Sequence, residues 1–548
     1  MAEDFTGRLE LTWTNKKLTL LADEAGGYQW VRPSDWRVSE VRLLRSAAEK
    51  GEVHAEARRA KDNLLIRGDA LHGLLSLRRL PEFAKEYVGR VRVCYIDPPF
   101  NTQQSFMNYD DALEHSVWLT MLRDRLVQVK ELLSQDGSVW VHLDDAEAHR
   151  GRCVLDEIFG ASNFVATVIW QKSYTRENRT DISTTHEYIH VYARAAQLWK
   201  RTRNLLPASE DQIKRYTNPD HDSRGPWKGV PAHGKAEKGR RKDQFYTVRL
   251  PSGRNVDPPK GRCWIYTKPR MQEMIDDGRV WFGQDGDGVP TVKKFLSEVQ
   301  AGLVPVSLWP HNEVGTTGDA KAEVVALFPE STPFSTPKPE ALIERIVHIS
   351  SNPGDVVLDC FLGSGTTAAV AHKMGRRWIG IERSIETVDE FTFPRLEKVV
   401  SGEDQGGVSE RHEWEGGGGF RLLEIAPSMF EEDAGNVVLA EWATNGALAE
   451  VTAAQLGFEY EADPPFAGRK GRTRLAVIDG LVTEGVVRAV CAAVGDRERV
   501  VVCGTAIDPA ARSVLKELRP GSTLRKIPAS ILEEYLSRSG EFKGWNGA

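Results

Sequence analysis

The sequence predicts an α/β fold: a largely parallel sheet of βαβ units, split by an irregular basic insert. Three observations carry this. Short apolar runs alternate with amphipathic helical stretches in two blocks, residues 61–170 and 331–425. The runs that matter end in an acid, at Ile96-Asp97, Leu358-Asp359 and Ile381-Glu382, and the carboxyl edge of an open α/β sheet is where its chemistry gathers. Between the blocks, residues 171–330 lose periodicity and are rich in Pro, Gly, Lys and aromatics.

A chain of 548 residues exceeds one core, and it divides into five parts. Residues 1–60 are a charged N-terminal extension carrying Trp30 and Trp36. In 61–170, Leu64–Ile66 reads as a strand ending at Gly68-Asp69 and Ala70–Leu80 as a helix. The apolar run Val91–Ile96 is the next strand. Glu114–Leu133 is a strongly amphipathic helix, because Trp118, Met121, Leu122, Leu126, Val129, Leu132 and Leu133 fall on one face. Ser134-Gln-Asp-Gly137 stops it, and Ser138–Leu143 is a strand. After Trp170 order fades; Gln171–Thr185 is polar and basic, as a mobile loop would be. In 331–425, Pro339–Ser350 reads as a helix, Asp355–Asp359 as a buried strand, Thr366–Met374 as a helix and Arg377–Glu382 as a strand. Ser401–Gly419 reads as a Gly-rich linker. Residues 426–548 suggest a small α/β accessory domain, with Arg499–Cys503 as a strand and Ala510–Leu518 as a helix.

Composition narrows the function classes. At 41% hydrophobic and 27% charged the chain is ordinary globular protein. No apolar run approaches 18 residues, and Met-Ala-Glu-Asp-Phe-Thr has no signal pattern, so a cytoplasmic protein is expected. The six cysteines lack the paired spacing of a zinc site or disulfide framework, so reduced thiols and no metal are expected. Net charge is −6, which alone argues against nucleic acid. Its distribution argues for it: Lys200 to Arg270 holds 18 Lys/Arg against 7 Asp/Glu, interleaved with Trp227, Phe245, Tyr246, Trp264 and Tyr266.

Asp97-Pro-Pro-Phe100 is the most informative tetrapeptide. Its prolines remove backbone donors and fix a turn, leaving carbonyls to accept. A carboxylate, carbonyls and a flat ring within one turn suit a planar base bearing an exocyclic amine. Asp463-Pro-Pro-Phe466 repeats the letters in a polar setting and Asp257-Pro-Pro-Lys260 nearly does; both read as surface turns. The second motif is Phe361-Leu-Gly363-Ser-Gly365-Thr-Thr367, between a strand and a helix, where glycines let the backbone approach a ligand. Glu382 ends the next strand, where an acid can accept both ribose hydroxyls of an adenosine ligand. A nicotinamide site would share that geometry, though dinucleotide sites prefer a third glycine where Thr366-Thr367 stands.

Asp97-Pro-Pro-Phe-Asn-Thr102 followed by Asp359-Cys-Phe-Leu-Gly-Ser-Gly-Thr-Thr367 resembles the S-adenosylmethionine-dependent DNA amino-methyltransferases of the circularly permuted beta class. Asn63–Asp69, Trp118–Leu126, Gly137–Asp145, Asp156–Gly160, Glu187–Ala193, Lys338-Pro339 and the Gly416–Phe420 run resemble the modification subunit of type III restriction-modification systems. Phe100 stands where tyrosine is usual, and Cys360 where proline is common.

The resemblance implies a Rossmann-like methyltransferase sheet with an inserted target-recognition domain at 171–330. It also implies methyl transfer from S-adenosyl-L-methionine to N6 of a flipped-out adenine in double-stranded DNA. Aspartate at the head of the motif favours adenine over cytosine-N4. Asp97, Pro98, Pro99 and Phe100 would be catalytic. Asp359, Phe361, Gly363, Gly365 and Glu382 would bind the cofactor, with Asp69 reaching its adenine end and Lys338 its methionine carboxylate. Lys172, Arg176, Arg179, Arg240, Arg241 and Lys242 are candidate DNA contacts, whereas His142, His186 and His190 read as structural. The sequence has no Gly-x-x-x-x-Gly-Lys-Ser/Thr motif, so cleavage would need a separate helicase-nuclease subunit. A homodimer, and a role mainly in recognising DNA for that partner, are the further expectations.

Overall fold

The structure is a computed structural model. It describes residues 10–22, 27–100, 114–177, 180–207, 213–236, 242–298, 302–330, 334 and 336–538. They form two compact units, one of residues 205–305 and the other of the rest.

The larger unit is built on a ten-stranded sheet. In chain order its strands are β1 (Leu44–Gly51), β2 (Asn63–Arg67), β3 (Val91–Ile96), β4 (Leu133–Leu143), β5 (Phe164–Gln171), β6 (His186–Ala193), β7 (Leu308–Trp309), β8 (Val356–Asp359), β9 (Arg377–Glu382) and β10 (Gly419–Ile425). Across the sheet the order is β7-β5-β6-β4-β3-β8-β9-β2-β10-β1. The six central strands, β4 to β10, run parallel. β6 and β1 join antiparallel at either side. All six residues of β3 and all four of β8 are buried, as parallel strands covered on both faces require.

From β3 the chain crosses to β4 on one side, and from β8 to β9 on the other. The boundary between β3 and β8 is therefore the topological switch point, where the carboxyl edge opens a crevice. Helix α1 (His115–Leu132) lies between β3 and β4 and buries Trp118, Leu122, Leu126 and Val129 in the core. Helix α2 (Glu340–Ser350) precedes β8, and α3 (Thr366–Lys373) follows it.

Several boundaries differ from the sequence reading. β4 begins at Leu133 rather than Ser138, because Leu133 pairs with Val91 before the register shifts. The insert is narrower than 171–330: β6 and β7 pair with β5 in the large sheet, leaving Leu205–Pro305 as the separate unit. Residues 44–51 of the N-terminal extension are an edge strand of the same sheet. Ser401–Gly419 is no free linker. The Trp414 indole N–H donates to the Val399 carbonyl (2.8 Å), Val408 is fully buried, and Gly416 to Gly418 hold positive φ where the chain turns into β10. The loop after β5 is pinned at its base by the Lys172 N–H, which donates to the Thr185 carbonyl (2.9 Å).

The C-terminal segment forms a five-stranded mixed sheet (Glu459–Asp463, Phe466–Lys470, Thr473–Val482, Arg499–Ile507, Thr523–Lys526) with two helices, and falls within the larger unit. Asp463-Pro-Pro-Phe466 is its first hairpin turn, with Asp463 paired to Phe466. The smaller unit has its own core of Trp264, Met271, Phe282, Val248 and Leu250 under short antiparallel strands. It carries 18 Lys/Arg against 13 Asp/Glu, a charge of +5, which leaves −11 on the remaining residues of a −6 chain. Among the described residues no helix is long and apolar enough to cross a membrane.

Candidate active site

β3 delivers Asp97 to the switch point. The following turn is held from α1: the Trp118 indole N–H donates to the Pro99 carbonyl at 2.5 Å. That carbonyl is therefore committed to the fold, contrary to the expectation that both proline carbonyls stay free. The Asp97 carboxylate is one-fifth exposed, and its Oδ2 accepts from Lys338 Nζ at 2.7 Å. Its Oδ1 is buried and receives no hydrogen bond from the described residues. Phe100 presents its ring beside Asp97, 5.9 Å from the His142 ring, with Lys338 Nζ 4.8 Å from its centroid. Asn101 and Thr102 lie outside the described residues.

Behind Asp97 lies a buried polar group that the sequence reading missed. Glu187, on β6, places Oε2 2.8 Å from His142 Nε2 and 3.9 Å from Lys338 Nζ, while Oε1 accepts from Lys172 Nζ at 2.9 Å. Burial alone would raise the Glu187 carboxyl, but Lys338, His142 and Lys172 more than reverse that and hold it well below the usual carboxylate range. His142 is fixed in turn by the Tyr95 hydroxyl, 2.8 Å from Nδ1. His190 is structural, its Nε2 2.8 Å from the Ala148 carbonyl, and burial pulls it down to about 4. The signal for Glu187 is period-two alternation, which puts it on the face of Ile189 and Val191, where an acid is out of place.

On the other side of the switch point, β8 delivers Asp359. Its Oδ1 accepts from the Phe361 N–H (2.9 Å) and its Oδ2 from the Thr367 hydroxyl (2.6 Å), shaping the glycine turn. Burial pushes its carboxyl up to about 7; those two bonds oppose the rise, and the charges of Asp97 and Glu382 add to it. Gly363 has φ +51° and Gly365 φ +83°. A Cβ at Gly363 would come within 3.3 Å of the Phe334 ring, and one at Gly365 within 3.3 Å of Thr392. Glu382, ending β9, accepts from the Gly363 N–H through Oε2 (2.8 Å) and from the Ser384 N–H through Oε1 (2.9 Å). Burial raises its carboxyl despite those bonds. Each oxygen keeps a lone pair for a further donor.

The remaining sequence candidates divide. Asp69 is the N-cap of helix Ala70–Arg79: Oδ1 accepts from the Leu71 N–H and Oδ2 from Arg125, each at 2.8 Å. Each oxygen thus accepts one bond from the fold and, as in Glu382, keeps a lone pair. Lys338 places Nζ on the Asp97 carboxylate and over the Phe100 ring. Lys172 faces inward to Glu187, Arg176 and Lys242 are exposed, and Arg179, Arg240 and Arg241 lie outside the described residues. Among the described residues no cluster of three or more His, Cys, Asp or Glu is arranged to hold a metal.

Fold and site together define an α/β domain that sets the Asp97-Pro-Pro-Phe100 turn beside a glycine turn and an acid, at one switch point. Residues 91–393, more than half of the chain, match the family model described as DNA methylase, and the chain belongs to that family. It is 29% identical over 461 residues to a Haemophilus influenzae protein described as a probable type III restriction-modification enzyme HindVI Mod subunit, with 73% of this chain and 59% of that protein covered. To the type III StyLTI Mod subunit of Salmonella typhimurium it is 31% identical over 390 residues (62% and 57% covered). To the type II methyltransferase M.EcaI of Enterobacter cloacae it is 28% identical over 319 residues (57% and 65% covered). The chain thus spans under two thirds of the length of each of these relatives.

Proposed function

We propose that this chain is a site-specific DNA methyltransferase that transfers a methyl group from S-adenosyl-L-methionine to the exocyclic N6 of an adenine flipped out of duplex DNA. The observation that carries the proposal is the Asp97 carboxylate, whose buried Oδ1 accepts no hydrogen bond from the described residues, beside an aromatic ring and a strand away from the glycine turn. S-adenosylmethionine supplies an electrophilic methyl; the glycine turn and the Glu382 carboxylate have the shape and acceptors to hold an adenosine moiety. Phe100 stacks on the target base. Asp97 and the Pro98 carbonyl accept the two N6 hydrogens, which turns the nitrogen lone pair toward the methyl. Positioning of two reactants supplies most of the acceleration. Asp97 would be placed to take the proton that N6 loses on methylation.

The similarity to Mod subunits supports a place in a type III restriction-modification system, with duplex DNA bound through the basic unit of residues 205–305 and a separate restriction subunit as partner. A homodimer in the cytoplasm completes the reading. A cytosine-N4 target is the second reading, less favoured because aspartate rather than serine opens the catalytic turn. Modified-base sequencing of DNA from cells expressing the chain, with Asp97→Ala as control, tests this: N6-methyladenine at one short motif, absent in the variant, is the expected result, and N4-methylcytosine or no modification overturns it.

A further inference from the structure

One cation sits where the proposed function puts the target base. Lys338 Nζ lies 2.7 Å from Asp97 Oδ2 and 4.8 Å from the centre of the Phe100 ring. It therefore engages both features that would receive a base, the acceptor and the stacking face. An ammonium left there would compete with the N6 hydrogens for Asp97. It would also repel the positive charge that N6 gains as the methyl arrives. Base entry requires it to move, and a buried ammonium moves only to another acceptor.

That acceptor is 3.9 Å away. Glu187 Oε2 is buried and already close to Lys338. Its neighbour His142 Nε2 approaches within 2.8 Å, but no aligned hydrogen bond reaches the oxygen, so it retains acceptor capacity. We propose that Lys338 is a resident counter-ion that holds Asp97 in the base-free enzyme and swings onto Glu187 when the target amine enters. Glu187 is then a positioning residue: it touches no reacting atom and acts by taking Lys338 out of the way. The swing is short, keeps the Lys338 ammonium paired in both states, replaces it at Asp97 with the donors of the target amine, and links catalytic competence to occupancy of the site.

The inference rests on the methyltransferase reading, and two measurements separate their failures. The first is single-turnover methyl transfer from tritiated S-adenosylmethionine to DNA carrying the recognised site, for the wild type, Glu187→Gln, Lys338→Met and the double variant. Glu187→Gln leaves Lys338 on Asp97 and should slow transfer about tenfold or more, with affinity for S-adenosylhomocysteine within about twofold of wild type. In the Lys338→Met background the same change should cost less than about threefold, because no ammonium remains to be received. An equal loss in both backgrounds overturns the proposal, since a structural Glu187 would not be suppressed by removing Lys338. The second is an unfolding cycle on Asp97→Asn and Lys338→Met without DNA or cofactor. Coupled effects support the resting contact, and additive effects overturn it. Wild-type protein that methylates no DNA overturns the methyltransferase reading, and the exchange with it, while the unfolding cycle still decides whether the resting contact exists.

Discussion

The indole N–H of Trp118 donates to the carbonyl of Pro99 over 2.5 Å, so the Asp97-Pro-Pro-Phe100 turn is tied to helix α1. Trp118 is fully buried. Trp118→Phe keeps most of the packing but removes the donor to a half-buried carbonyl, a loss of about 1 kcal/mol. The expected outcome is a lower unfolding midpoint and slower methyl transfer, with cofactor affinity retained. Equilibrium unfolding together with calorimetric titration of S-adenosylhomocysteine checks it.

Glu382 closes the glycine turn through the Gly363 and Ser384 N–H groups, and in the proposed function it also accepts from the cofactor's ribose. Glu382→Ala removes both. Cofactor affinity should fall by about 1.4 kcal/mol or more, a factor of at least about ten, while DNA binding stays close to wild type. Calorimetry for the cofactor and anisotropy with labelled duplex separate the two effects, and an equal loss in both would contradict the assignment.

Asp359 sets a pH dependence. Its carboxyl sits at about 7 in the folded protein against an ordinary 3.8. Between those values the unfolded chain releases the proton first, so this group makes stability fall as pH rises through the window. The full effect is on the order of 4 kcal/mol. Asp359→Asn cannot ionise and should flatten that part of the curve, at the cost of one of the two bonds to Phe361 and Thr367. Denaturant unfolding of both proteins between pH 4 and 7.5 reads the difference in slope, and parallel curves would sink the argument.

The parts legible in the sequence are those where local pattern and tertiary role coincide. The strands Val91–Ile96, broken only by Arg92, and Val356–Asp359 are apolar runs because both faces are covered, and the acids at their ends mark the edge that matters. β1 was not legible: Leu44–Gly51 is an exposed edge strand with polar residues on both faces, and only its pairing with β10 defines it. β7 has two residues, too few for any period. That Asp69 caps a helix was not legible, because a short acid before a helix serves as cap or ligand contact alike. Lys172 reads as a phosphate contact and points inward, because only the fold brings Glu187 beside it.

The last prediction concerns how a chain of net charge −6 meets DNA. With +5 on residues 205–305 and −11 elsewhere, long-range attraction to phosphate must come from the smaller unit. That unit stands on its own core, in which Trp264 is fully buried and donates its indole N–H to the Tyr246 carbonyl at 2.7 Å. Trp264→Ala leaves a cavity and an unsatisfied carbonyl, about 3–5 kcal/mol in a small core, enough to unfold the unit. Binding of S-adenosylhomocysteine should survive, because the glycine turn and Glu382 belong to the other unit. Affinity for duplex DNA should drop and lose most of its dependence on salt, since fewer phosphates are neutralised. Binding isotherms across a salt series check this, and a salt slope unchanged from wild type would move the DNA contact to the larger, acidic unit.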